Sequence, residues 1–271
     1  MKHYLYSGVS LLLLLFIGSG CSEFVRIQKS TDIMEKYSYA KKYYNTKKYQ
    51  NAATLLEEVV PYLNGTSEAE TSLYLLGQSY YASKQYYEAH DKFVQYYTRY
   101  PSGEFSELAR FYSGYGLAQD IPDARLDQGP TYAAIKELQG FLDNHPQSEK
   151  AEEAREEILR LQEHLAYKTL LSVRLYYNLG NYIFNNYESC IITARNGMKD
   201  FPFSKHKEEM HYLVVASLYE MAYNSVIEKQ QARLRDLRDE YYNYLNDYPE
   251  GKYAKKLEKY FLYADKNIKD E

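Results

Sequence analysis

The sequence predicts an all-α fold, a tetratricopeptide-like superhelix of about five helix pairs. Three observations predict it. A spacing of 12 residues from a buried position on a second helix to a stopping proline recurs at Ala89–Pro101, Ala134–Pro146, Cys190–Pro202 and Leu237–Pro249. No segment sustains the period-two alternation of a β-strand. No Gly/Ser linker interrupts residues 33–271, so one continuous array is expected there.

The chain opens with an address. Residues 1–20 carry Lys2, an apolar run from Val9 to Ile17 and the small residues Gly18-Ser19-Gly20. A membrane-spanning helix needs about 20 apolar residues, so this run reads as a cleaved secretory signal. The stretch ends on Cys21 and resembles a lipobox, in which the cysteine carries acyl chains such as palmitate. Gly18 stands where a lipobox usually has Leu, which keeps an unlipidated secreted form as the alternative. Two acyl chains anchor a protein stably where one does not. Ser22 rather than Asp follows Cys21, a pattern that in bacterial lipoproteins favours the outer membrane. Residues 21–32 then read as a lipid-anchored linker. With Cys21 lipidated, Cys190 is left as a lone thiol, expected to be buried.

Repeat one places Ala40, Tyr43, Ala52, Leu56 and Val59 at core spacing. Repeat two carries Leu73-x2-Leu76-Gly77-x2-Tyr80, Ala89-x3-Phe93 and Pro101, the tetratricopeptide pattern with Leu for its leading Trp. Gly77 is expected to let the first helix sit close to Ala89 on the second, and Pro101 to stop that helix. Repeat three has Phe111, Gly114 and Leu117, then Ala134, Leu138 and Phe141, with eight extra residues between its helices around 121–130. Ser148–Gln162 reads as a charged helix joining repeats three and four. Repeat four ends in Cys190, Ala194 and Pro202. Repeat five aligns Tyr212-x2-Val215-Ala216-x2-Tyr219 with the repeat-two pattern, then Leu237, Tyr241, Tyr244 and Pro249, again with an insertion.

Composition narrows the function classes. A net charge of −4 gives no basic bias toward nucleic acid. The unusual figure is 34 Tyr against 10 Phe and no Trp, which suits half-wet aromatic surfaces. His206 and His211 stand five apart, which turns the second ring roughly 140° from the first and spoils a zinc pair. Asp120, Asp123 and Asp127 lack the Gly and Glu of a calcium loop. No phosphate loop, nucleophile elbow or Cys–His arrangement is present, so neither enzyme nor cofactor nor metal is expected.

What remains is surface. In such repeats the first helix lines a groove. Positions three before, one after and four after the central small residue are Tyr37, Lys41 and Tyr44; Tyr74, Gln78 and Tyr81; Phe111, Tyr115 and Ala118. These form an expected aromatic trough for polypeptide, the alternative being that several of the rings pack between neighbouring repeats.

The chain resembles the BamD family, lipoproteins of the outer-membrane β-barrel assembly machine. The likeness rests on the lipobox Cys21 and on YxxAxxYYNxKxYxxAAxLLEEVVP from Tyr37 to Pro61. It continues in Asp127-Gln128-Gly129-Pro130-Thr131 after the insertion, His145-Pro146-Gln147-Ser148, Tyr176-Tyr177 and Asp200-Phe201-Pro202. It implies a scaffold on the periplasmic face of the outer membrane. Such a scaffold binds a barrel-inserting outer-membrane protein with periplasmic repeat domains, mainly through its C-terminal repeats. It also implies that N-terminal repeats receive unfolded outer-membrane proteins by an aromatic C-terminal signal. Two other classes are a tetratricopeptide adaptor of envelope or wall synthesis and a glycan-binding uptake lipoprotein. The absence of a heptad stretch weakens the first and the absence of Trp weakens the second.

Overall fold

Asp32 starts the array: its Oδ1 accepts the backbone N–H groups of Met34 and Glu35 at 2.9 and 3.0 Å, an N-cap that satisfies two orphan donors. The computed structural model describes residues 23–182 and 184–269. The signal segment 1–20 and Cys21 lie outside them. The helices that follow are α1 (Ile33–Asn45), α2 (Tyr49–Val59), α3 (Ala69–Ala82), α4 (Tyr86–Arg99), α5 (Ser106–Ala118) and α6 (Gly129–Asn144). Then come α7 (Ala151–Leu179), α8 (Asn186–Asp200), α9 (Lys207–Tyr223), α10 (Ile227–Asp247) and α11 (Ala254–Asn267). Among the described residues there is no β-strand, and successive helices pack side by side from α1 to α6 and again from α8 to α11. The fold is the all-α, tetratricopeptide-like one that the sequence predicts.

The chain forms two compact units. One holds residues 23–121 with 129–157, the other 122–128 with 158–269. In the first, Ala40, Tyr43, Ala52, Leu56, Val59, Leu73, Leu76, Ala89 and Phe93 are buried, the residues that the repeat spacing selects. In the second, Cys190, Ala194, Val215, Ala216, Leu237 and Tyr244 are fully buried. Burial pushes the Cys190 thiol up, and its Sγ–H points at the Leu213 carbonyl oxygen, 3.9 Å away.

Three details differ from the sequence reading, each for a physical reason. Residues 23–28, read as part of a linker, are helical and seat Ile27 in the first core with no exposure. The segment Ser148–Gln162 is no separate joining helix. It enters the 29-residue α7, which runs on as the first helix of repeat four because Ala151–Leu179 holds neither Gly nor Pro. The repeat-five insertion makes no loop either. It lengthens α9 to 17 and α10 to 21 residues, against 14 each for α3 and α4.

Repeats are joined by a shared latch. Tyr96 near the end of α4 donates its hydroxyl to Glu70 in the first turn of α3 and accepts the Phe105 N–H at 3.1 Å. In the second unit Tyr244 donates to Glu208 Oε1 at 2.8 Å and accepts the Tyr253 N–H at 3.2 Å. The same glycine position makes room. A Cβ on Gly103 would lie 2.8 Å from the Tyr96 hydroxyl oxygen, and one on Gly251 would lie 2.9 Å from Glu208. Counted from this latch, Tyr212 corresponds to Tyr74 rather than to Leu73, a shift of one residue from the sequence alignment of repeat five. In repeat three Phe141 has no hydroxyl. There Ser148, standing where Gly103 and Gly251 stand, donates its own hydroxyl to Glu107 and accepts the Lys150 N–H at 3.0 Å.

Candidate peptide-binding site

The site residues predicted from the sequence all lie in the first unit, and they divide into two sets. Tyr37, Tyr74 and Phe111 are 3%, 9% and 0% exposed. They lie between helices rather than on a free face. The Phe105 ring, one residue before α5, stacks on Tyr74 with centroids 4.3 Å apart and planes 7° apart. Lys150, one residue before α7, holds its ammonium 5.2 Å over Phe111. Tyr74 also meets Phe93 and Tyr96 at 6.0 and 5.6 Å. These rings are spacers that set the distance between neighbouring hairpins.

The second set reaches solvent. Tyr44, Gln78, Tyr81 and Tyr115 are half-buried and Lys41 is exposed, while the Ala118 methyl is buried. Tyr44 meets Tyr49 edge-on at 5.6 Å, and Tyr81 meets Tyr86 edge-on at 5.6 Å. Tyr81 also meets Tyr112 at 5.0 Å, and Tyr115 stacks on Phe111 at 4.9 Å. Gly116 makes the approach of α3 to α5 feasible, since a Cβ there would stand 3.3 Å from the Tyr81 ring. Gln78 donates its amide to the Tyr74 hydroxyl at 2.9 Å. The Lys41 ammonium lies 4.4 Å over the Tyr37 ring, a cation–π contact.

Electrostatics keep these phenols neutral. Burial raises the pKa of Tyr44 and Tyr81, and their tyrosine neighbours raise it further. Burial raises that of Tyr115 as well, with the carboxylates of Glu153 and Glu157 adding to it. These side chains therefore offer neutral O–H donors, ring faces and the Lys41 cation. That set can hold an extended chain by stacking and can hydrogen-bond a carboxylate; none of it supplies a nucleophile with a base.

Sequence reasoning missed Tyr112, Tyr49 and Tyr86, which complete the ring series. Tyr112 stands two residues before Gly114, off the positions assigned to the groove. The available signal was its seven-residue distance from Phe105, which Tyr260 repeats from Tyr253.

The histidines serve elsewhere. The His206 ring lies against Tyr167 at 5.3 Å with Nε2 3.4 Å from Glu163, and burial lowers its pKa. His211 is buried with Nε2 3.2 Å from Glu240. Asp123 Oδ1 accepts the Arg125 N–H at 2.9 Å within its own loop. Among the described residues no three His, Cys, Asp or Glu side chains gather as a metal site. The second unit also has an apolar hollow of about 270 Å³ lined by Leu159, Glu163, Phe201, Pro202 and Phe203. Phe203 there is 95% exposed.

Residues 29–185 match the family model YfiO, described as outer membrane lipoprotein. A crystal structure described as "Podosopora anserina putative kinesin light chain nearly identical TPR-like repeats" is similar at 16% identity and a TM-score of 0.32. It covers 77% of this chain and 93% of its own. No curated protein matches the sequence.

Proposed function

The chain belongs to the YfiO family of outer membrane lipoproteins, and from that premise we propose that it is a scaffold of the β-barrel assembly machine. In this reading Cys21 carries the lipid anchor at the periplasmic face of the outer membrane. The first unit receives unfolded outer-membrane proteins. The second binds the barrel-inserting partner, for which the exposed Phe203 beside the Leu159 hollow is the best-suited contact. The protein works by holding polypeptides rather than by changing them.

One observation supports the reception of substrate most directly: Tyr44, Tyr81 and Tyr115 keep part of each ring in solvent while their other faces are braced by Tyr49, Tyr86, Tyr112 and Phe111. Rings held this way contact a peptide at low entropic cost. A segment ending in an aromatic residue presents a ring to stack and a carboxylate for the phenols and Lys41.

The test is binding of a fluorescent peptide with a C-terminal Phe. Tyr44→Ala, Tyr81→Ala and Tyr115→Ala together are expected to weaken it by about tenfold or more, as loss of aromatic anchors does. Helical circular dichroism should stay unchanged. Tyr74 is left intact because its ring holds two hairpins together. Unaltered affinity in a folded triple variant removes the trough from the mechanism.

A further inference from the structure

Three hairpin turns close with the same aromatic clasp. A tyrosine three residues before a left-handed residue meets a tyrosine at the start of the next helix. Tyr44 meets Tyr49 around Lys47 (φ 59°), Tyr81 meets Tyr86 around Lys84 (φ 62°), and Tyr177 meets Tyr187 around Gly180 (φ 53°). The centroid distances are 5.6, 5.6 and 5.8 Å and the interplanar angles 67°, 70° and 63°. In the first two turns the second ring follows the left-handed residue by two positions. In the third it follows by seven. Five residues, Asn181 to Asn185, reading NYIFN, have been added to a turn that closes without them.

Folding does not explain the apolar character of this addition. Tyr182 and Phe184 are 71% and 77% exposed. The loop's backbone is braced at its base, where the Asn186 N–H donates to the Gly180 carbonyl at 2.9 Å and the Asn186 side-chain amide donates to the carbonyls of Tyr182 and Phe184. The next hairpin turn of the same unit, α9 to α10, lies at the same end. Glu220 near the end of α9 acts electrostatically on both Tyr177 and Tyr187. That turn exposes Tyr223, Val226 and Ile227 at 56%, 60% and 85%. Clustered exposed apolar side chains of this kind mark contact surfaces.

Charge selects the occupant. Residues 181–187 and 221–227 contain no charged side chain, in a chain that is 26% charged. Charges of both signs border the tips: Lys229, Lys266 and Lys269 with Glu188, Glu220, Glu228 and Asp265. A protein interface usually rings its aromatic anchors with polar groups, whereas an acyl layer excludes charge from whatever enters it. Tyrosine, phenylalanine and aliphatic side chains at uncharged tips, with charge kept to the border, suit a membrane–water interface. We propose that this end of the second unit dips into a phospholipid surface. Tyr182, Phe184, Tyr223, Val226 and Ile227 enter the boundary between headgroups and acyl chains. The contact is peripheral, since no helix of the described residues is long and apolar enough to cross a membrane. It is independent of the peptide trough.

The chain has no Trp, so Phe184→Trp in the mature protein (residues 21–271) with Cys21→Ser gives a single reporter free of both the signal segment and the lipid anchor. Vesicles of phosphatidylethanolamine and phosphatidylglycerol with brominated acyl chains are the probe. Emission is expected to shift to the blue and to be quenched, with little dependence on salt. Tyr62→Trp, at a 71% exposed position in the first unit, should respond to neither. Ile227→Trp repeats the measurement should Phe184→Trp fail to fold. Combined Tyr182→Ser and Phe184→Ser should lower vesicle flotation by about tenfold, the scale of losing large apolar side chains from a nonpolar phase. Unquenched reporters in a folded protein, or equal quenching at Tyr62→Trp, overturn the proposal.

Discussion

Gly103, Gly251 and Ser148 occupy one position and show how a single residue couples two hairpins. Where the preceding helix offers a tyrosine hydroxyl to a glutamate, the position must be glycine, because any Cβ would crowd that hydrogen bond. Where the helix offers Phe141, the position holds Ser148, which supplies the missing hydroxyl to Glu107. A hydrogen bond to a charged acceptor contributes about 1.5–3 kcal/mol, so the pairing is under real energetic constraint. Phe141→Tyr alone is expected to destabilise the protein by about 1–3 kcal/mol, since its hydroxyl competes with Ser148 for the same space. Adding Ser148→Gly should recover most of that loss by converting the site to the form seen at Tyr96 and Tyr244. A double-mutant cycle in urea measures the coupling; additive effects would show that the two positions act independently. The proline spacing exposed the repeats in the sequence, but this coupling was hidden. It links residues from different hairpins, such as Glu107 and Ser148, whose separation no helical period encodes.

At the scale of the element, legibility followed the local code. Pro101, Pro146, Pro202 and Pro249 placed the helix ends, and Gly77 marked a close approach, in fact to the Phe93 ring one turn beyond Ala89. Tyr37, Tyr74 and Phe111 were recognisable as one structural position, and the sequence allowed each ring either to line the groove or to pack between neighbouring repeats. Only the residue arriving from the next hairpin, Phe105 or Lys150, decides whether such a ring is covered. The five residues added after Gly180 were also invisible, because the clasp they interrupt is an aromatic contact between two helices. That clasp gives a prediction. Deleting Asn181 to Asn185 should leave the melting temperature nearly unchanged, since Tyr177 and Tyr187 can close the shorter turn as Tyr81 and Tyr86 do. Shortening a loop changes closure entropy by only about 0.6 kcal/mol per halving. Calorimetry of the deletion protein checks it, and a cooperative loss of stability would mean that the insertion is structural.

Over the whole molecule the 34 tyrosines turn many separate contacts into one shared response to pH. Burial raises the pKa of Tyr96 and Tyr244, and their glutamate partners in the latch raise it further. Tyr97, half-buried and hydrogen-bonded to Glu137 at 3.1 Å, is pushed up to about 12 by its partial burial first and by Glu137 after it. Tyr248 is pushed up to about 12 by burial first and by Asp247 and Glu208 after it. A tyrosine ionises by losing a proton, so the unfolded chain, with pKa values near about 10, releases its protons before the folded chain does. The stability these rings contribute is therefore complete below about pH 10 and is lost as the pH climbs through the folded values. Such rings lie in both compact units, so neither core escapes. Helix content at 222 nm and tyrosinate absorbance at 295 nm should change together between about pH 10 and 12, more steeply than independent phenols titrate. Tyr97→Phe combined with Tyr248→Phe should move that transition to higher pH, because two groups that favour the unfolded state under alkali are gone. Buried phenols that titrate near their ordinary value while the helices persist would mean that the rings are not held by the packing and glutamate bonds described above.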